Sequence, residues 1–242
     1  MTMNKFLYGG NFHLTRDADT QYAAHRILSI LYQEFSNLDR VVDVGCGVGT
    51  FLNAALACGA HTVKGIDGDW VNPGHLVIQQ SNFEALDIST HPVINEKFDL
   101  AINLEVAEHL PKENAAAFIH WLVALAPVIL FSAAIPGQGG IGHKNEAWPS
   151  YWVSIFRQEG YEPLDIVRSK IWDDHEIYFW YRQNIFVFVK TNYILSSNFN
   201  PSFFDIVHPE LYLSKIVRNR GWPANAFFLS LLRRLLSLVN HK

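Results

Sequence analysis

Apolar and polar positions alternate between two periods along this chain. Residues 20–36 (TQYAAHRILSILYQEFS) place Ala23, Ile27, Ile30, Leu31 and Phe35 at helical spacing and predict an amphipathic helix. Val41 to Val44 read as a short buried strand, followed by a run of glycines and a helix from Thr50 to Cys58 that stops at Gly59. HTVKGID predicts a second strand ending at Asp67, HLVIQQSNFEALDI a third ending near Asp87, KFDLAINLEV a fourth and PVILFSAAIP a fifth. Helices are expected in NAAAFIHWLVALA, stopped by Pro127, and in YWVSIFRQEG, stopped by Gly160. Two β-rich runs close the series, EPLDIVRSKIW and YFWYRQNIFVFVK, with no helical pattern between them; they predict an antiparallel hairpin at the sheet edge. Strand and helix thus alternate from residue 41 to about 160. That order gives right-handed crossovers and a Rossmann-like, doubly wound, mostly parallel seven-stranded sheet.

Composition adds a boundary. The 242 residues carry a net charge of −4. From Lys190 onward seven basic residues stand against two acidic ones, +5, which leaves −9 for residues 1–189. The break predicts a domain over 1–190 and a basic C-terminal extension over 191–242. Within the extension, residues 224–240 (ANAFFLSLLRRLLSLVN) read as a helix too short to span a bilayer, suited to docking, dimerisation or contact with an anionic membrane surface. An acidic body argues against a nucleic-acid partner. Two cysteines, Cys46 and Cys58, and no apolar stretch behind the basic start fit a reducing, cytoplasmic setting.

The chemistry gathers at three strand ends. Asp43-Val-Gly45-Cys46-Gly47-Val48-Gly49 lets the backbone turn sharply and approach a ligand. A dinucleotide loop wants a third glycine where Thr50 stands, and a phosphate-cradling loop wants Gly-Lys-Ser/Thr, which is absent. Asp67 ends the next strand, where an acid can hold both hydroxyls of a ribose; Asp87 ends the one after. Open sheets of this kind bind ligands in the crevice at such ends.

VVDVGCGVGTF resembles motif I of class I S-adenosylmethionine-dependent methyltransferases. KGIDGDW and EALDI are similar to their ribose- and adenine-reading segments, and FDLAINLEVAEHL is similar to the fourth-strand motif of the branch that includes ubiquinone-biosynthesis O-methyltransferases. The resemblance covers about residues 20–190. It implies S-adenosylmethionine as cofactor, with contacts at Asp43, Gly45, Cys46, Gly47, Gly49, Asp67, Gly68, Asp87, Ile88 and Leu104. Asp43 would organise the loop; Cys46 reads as a small filler. The implied activity is methyl transfer to a small-molecule acceptor, at a hydroxyl of a sugar, glycan or phenol. RNA 2′-O-methylation and a non-catalytic cofactor-binding module are the alternatives.

Glu105-Val-Ala-Glu108-His109 would share one face in a helical turn at the fourth strand end. With His143, beyond the fifth strand, the set resembles the metal site of small-RNA 2′-O-methyltransferases, implying Glu105, Glu108, His109 and His143 as ligands of a divalent ion such as magnesium. A buried network in which His109 packs, and a metal-free base at His143, are the other readings. Catalytic candidates are therefore His143, Glu105 and His109. The stretch PGQGGIGHKNEAWPSYW offers Asn145 and Glu146 beside His143 for an acceptor, and Trp148, Tyr151 and Trp152 as an aromatic wall.

Overall fold

The computed structural model describes residues 10–193 and 203–219. These fall into two units, one ending at Asp205 and one beginning at Ile206.

In the first unit seven strands form one sheet in the order β3-β2-β1-β4-β5-β7-β6: β1 Arg40–Val44, β2 Thr62–Asp67, β3 Phe83–Ala85, β4 Leu100–Leu104, β5 Val128–Ser132, β6 Tyr161–Leu164 and β7 Phe186–Lys190. The first five are parallel; β7 runs antiparallel to both β5 and β6. Alternate strand residues face opposite layers. Val41, Leu100, Ile102, Val128, Leu130, Val187 and Val189 pack with helices α1 (Gly10–Glu34) and α2 (Thr50–Cys58). Val42, Ala101, Ile129, Phe131, Phe186 and Phe188 pack with α3 (Ala115–Val123) and α4 (Pro149–Gln158). Burial on both faces explains the unbroken apolar strand runs. Phe156 of α4 stacks on Phe188 at 3.8 Å.

The structure departs from the expected alternation in three places. The β2–β3 crossover contains two 3-10 turns, Pro73–His75 and Gln80–Asn82, and no α-helix. The third strand is only three residues long, so Asp87 stands beyond it, at the start of a 3-10 turn Ile88–Thr90. The last two strands are not joined by a hairpin. Two short helices, α5 (Arg168–Ile171) and α6 (Phe179–Asn184), lie between them, and Tyr178–Asn184, expected as strand, is largely α6. Aromatic residues favour strands, but here tertiary packing overrides that preference.

The unit continues past residue 190. The backbone oxygens of Phe203 and Phe204 accept hydrogen bonds from buried Arg168, and Asp205 accepts from Ser150 N (2.9 Å) and Ser150 Oγ (2.6 Å) in the first turn of α4. In the second unit α7 spans Pro209–Asn219, and His208 accepts a hydrogen bond from Glu210 N at its start. The helix expected over 224–240 lies outside the described residues. Among the described residues no helix is long and apolar enough to cross a membrane.

Candidate active site

The glycine loop leaves β1 at Val44 and returns into α2. Gly45 takes φ +85°, and a Cβ there would lie 2.4 Å from Val106; only glycine fits. Gly45 N and Cys46 N donate to Ile66 O at the end of β2 (2.7 and 3.2 Å). Asp67 completes the tie: one carboxylate oxygen accepts from Gly47 N and the other from Gly68 N, both at 2.7 Å. The acid at the end of β2 therefore pins the loop of β1. Asp43 is buried beneath it, and burial, then the charge of Asp67, push its carboxyl well up. Burial and the same two acids push the Cys46 thiol well up, which disfavours its thiolate.

Beside this loop lies a cavity of about 380 Å³. Its wall takes Asp43, Gly45, Cys46 and Gly47 from the loop, Asp67 and Trp70 from beyond β2, and Ile88 from beyond β3. Leu104, Glu105, Glu108 and His109 enter from the end of β4, and Gln138 to Ile141 with His143 from the segment after β5. Thr20 of α1 and Phe179, Trp180 and Tyr181 of α6 complete it. Three expected contacts stand outside the wall. Gly49 makes room for Ile78, and Gly68 for the Trp70 ring, which a Cβ would meet at 2.2 Å. The Asp87 carboxylate caps its own turn, accepting from Ser89 N (3.0 Å) and Ser89 Oγ (2.6 Å).

At the end of β4 the four expected metal ligands part company. Glu105 sits in the left-handed region at φ +56°, with its amide held by Ser132 O (3.0 Å) and Ser132 Oγ (3.1 Å). Its carboxylate accepts from Gln138 Nε2 (3.0 Å) and Asn184 Nδ2 (3.1 Å). Burial raises its pKa, against the pull of Asn184, Ser132 and Gln138. Each oxygen of Glu105 thus accepts from one side-chain amide.

Glu108, His109 and His143 do converge, with one ligand atom of each within 4.8 Å of the others. Glu108 is fully buried, and neither carboxylate oxygen has a hydrogen bond of normal geometry among the described residues; the amides of Glu108 itself and Ala134 are its nearest polar support. Burial, then the charge of Glu105, push its pKa well up. His143 places Nε2 3.9 Å from Glu108 Oε1 and meets the His109 ring edge-on at 4.9 Å. Its Nδ1 lies 2.9 Å from Glu146 Oε1. Glu146 in turn accepts from Gly137 N and Gly139 N, both at 2.7 Å. Burial pushes Glu146 up, but the bonds from His143, Gly137 and Gly139 win and hold it below the usual carboxylate range. Lys144 N and Asn145 N donate to Glu108 O (2.8 and 2.9 Å), which locks this segment onto the 3-10 turn Ala107–His109. The His143 ring lies against Gly140, where a Cβ would meet Nε2 at 2.1 Å.

The expected aromatic wall is elsewhere. Trp152 is buried against Phe131 at 5.3 Å, and Trp148 and Tyr151 line a second cavity with Lys112, Lys144 and Asn145. The aromatics of the main cavity come from α6, from Trp70 and from Phe51 of α2. Reading YFWYRQN as strand hid Phe179 to Tyr181. The Gln138–Asn184–Glu105 contact joins segments with no shared motif.

Comparison with known proteins fits this geometry. The chain is similar in structure to magnesium protoporphyrin IX methyltransferase from Synechocystis PCC 6803 with bound SAH, at 20% identity over 73% of this chain and 87% of that one, TM-score 0.54. The same enzyme with bound SAM gives 22% identity over 72% and 80%, TM-score 0.51. DesVI from Streptomyces venezuelae gives 12% over 78% and 100%, TM-score 0.57. At these identities the likeness is one of fold. No curated protein matches the sequence. A family model described as a methyltransferase domain matches residues 15–153, more than half of the chain. The chain belongs to this methyltransferase family, and it is an enzyme.

Proposed function

We propose that this enzyme transfers a methyl group from S-adenosylmethionine to a hydroxyl of a small-molecule acceptor, a phenol or a sugar. The cavity suits that donor. Its glycine loop allows close approach, its acids include Asp43 and Asp67, and no Lys or Arg among the described residues lines it to pair with a phosphate. Asp43, the Gly45–Gly47 loop, Asp67, Trp70 and Ile88 would hold the donor, with Asp87 fixing the turn that presents Ile88. When bound, it supplies an electrophilic methyl group on a sulfonium. The walls of Phe179, Trp180 and Tyr181 suit the face of an acceptor ring.

The observation that carries the reading is the His143–Glu146 pair. A carboxylate held by two amides fixes the proton on Nδ1 and leaves Nε2 as the proton acceptor inside the cavity. A neutral hydroxyl is a poor nucleophile, and a base at that atom takes its proton as the oxygen attacks. Alignment of the two reactants supplies much of the remaining rate. The lack of Lys or Arg in this wall among the described residues also weighs against an RNA acceptor.

One observation favours a metal-assisted form of the same reaction. Glu108 is buried with no side-chain donor among the described residues, beside two imidazoles, and His143 already has the carboxylate on its far nitrogen that metal-bound histidines use. Glu108, His109 and His143 would hold the ion, which would lower the pKa of a bound hydroxyl.

A panel of phenols and sugars, assayed with labelled donor, tests both forms. His143→Ala should lower turnover roughly a hundredfold or more while donor affinity holds. Turnover abolished by a chelator and restored by magnesium assigns the ion; turnover indifferent to chelator assigns the base. Normal turnover in His143→Ala refutes both.

A further inference from the structure

Glu105 is a part-buried carboxylate at the cavity wall with an unusual surrounding. Its two carboxylate oxygens are satisfied by neutral amides, Gln138 and Asn184, and no Lys or Arg among the described residues lies within ion-pair distance of it. The donors are themselves arranged in series. Asn184 Nδ2 also donates to Gln138 Oε1 (2.9 Å), and Gln183 Nε2 donates to Asn184 Oδ1 (2.8 Å). Gln183 and Asn184 are buried, and Gln138 is 9% exposed. The amide dipoles thus converge on one carboxylate and favour its charged form. The backbone is also set against ordinary preference. A non-glycine residue at φ +56° is strained and persists only where its neighbours over-determine it. Here Ser132 fixes the amide and Gln138 and Asn184 fix the side chain. The strain presents a carboxylate to the cavity wall. His143 is the titratable group that favours its charge, and with no Lys or Arg beside it among the described residues the carboxylate suits a cation from the ligand.

We propose that Glu105, clamped by Gln138 and Asn184, is the seat for the sulfonium charge of the methyl donor. The inference rests on the donor assigned above. Glu108 is the poorer seat because no side-chain donor among the described residues holds its carboxylate. The sulfur is cationic before transfer and neutral after it, so the contact distinguishes donor from product. Gln138 and Asn184 are positioning residues: they act through Glu105.

Calorimetric titration with S-adenosylmethionine and S-adenosylhomocysteine tests this without any acceptor. Glu105→Gln should weaken the first by about tenfold or more and the second by less than about threefold, because only the first carries charge at sulfur. Asn184→Ala should shift the ratio in the same direction in the native background and leave it unchanged in Glu105→Gln, as coupled residues do. Gln138→Ala, at the other oxygen, gives the same readout if Glu105→Gln does not fold. Equal losses for both ligands overturn the assignment, as does an Asn184→Ala effect on the ratio that persists in Glu105→Gln. Native protein that binds neither ligand overturns the donor itself, a distinct result.

Discussion

Substituting alanine for Gly140 isolates the role of one imidazole. Gly140 has no left-handed backbone angle, so alanine is tolerated by the chain itself. The added Cβ would lie 2.1 Å from His143 Nε2, 2.4 Å from Cε1 and 2.8 Å from Cδ2. Ordinary contact begins near 3.4 Å, so the ring must retreat by about 1.3 Å. Glu146 does not follow, because Gly137 N and Gly139 N hold it. The 2.9 Å bond to Nδ1 is stretched or broken, and Nε2 leaves its place opposite Glu108. A misplacement near 1 Å costs on the order of a hundredfold in rate, within the range a general base contributes. Turnover on a responsive acceptor should therefore fall roughly a hundredfold. Donor affinity should change less than about twofold, since no residue of the glycine loop is touched. Stopped assays with labelled donor give the first number and calorimetry the second. Turnover within about threefold of native would refute a catalytic imidazole at this position. An equal loss of donor affinity would show instead that the segment serves the cofactor.

The buried Asp43 predicts a trade between stability and binding. Its pKa is raised in the folded state, so folding loses stability as pH climbs above the unfolded value near about 4. Asp43→Asn should raise Tm at neutral pH, flatten its pH dependence and weaken the donor; a lower Tm there contradicts the reasoning. Asp67→Ala frees Gly47 N and Gly68 N at once, so donor affinity should drop by roughly a hundredfold; unchanged affinity in calorimetry rules out Asp67 as the link between loop and ligand. A chain ending at Asp205 should keep native Tm and donor binding. One ending at Lys190 strips the acceptors from buried Arg168 and the cap from α4, at about 1–3 kcal/mol for the first, and should melt lower; equal melts would show that residues 203–205 add nothing.

What could be read from the chain follows the range of the forces involved. The glycine loop, α2 and its Gly59 stop are local, and each residue carries its own reason for being there. The strand cores are read from buried runs that no other element tolerates. His143 and Glu146 stand three apart, so their pairing was within reach of the segment that holds both. By contrast, Glu105 and Asn184 are 79 residues apart, and nothing in either neighbourhood points to the other. The helical turn of α6 was masked by Phe179, Trp180 and Tyr181, residues with strand preference next to a true strand. Asp87 carried the expected acid at the expected distance, and its side chain caps the 3-10 turn that follows by accepting from Ser89.

The antiparallel pair at the sheet edge has a bearing on how such an enzyme diversifies. Strands β6 and β7 hydrogen-bond to each other from Tyr161↔Lys190 to Leu164↔Val187, so the two ends of the stretch between them are stapled together. That stretch carries Phe179, Trp180 and Tyr181 and lies wholly beyond residues 15–153, the part shared with the family. It is therefore a cassette. Lineages can rewrite it, and engineers can exchange it, while the glycine loop of the donor half stays untouched. Within it Asn184 reaches the other half through Glu105, Gln183 through Gln138 and Tyr181 through Phe51, and a workable graft keeps these three while changing Phe179 and Trp180.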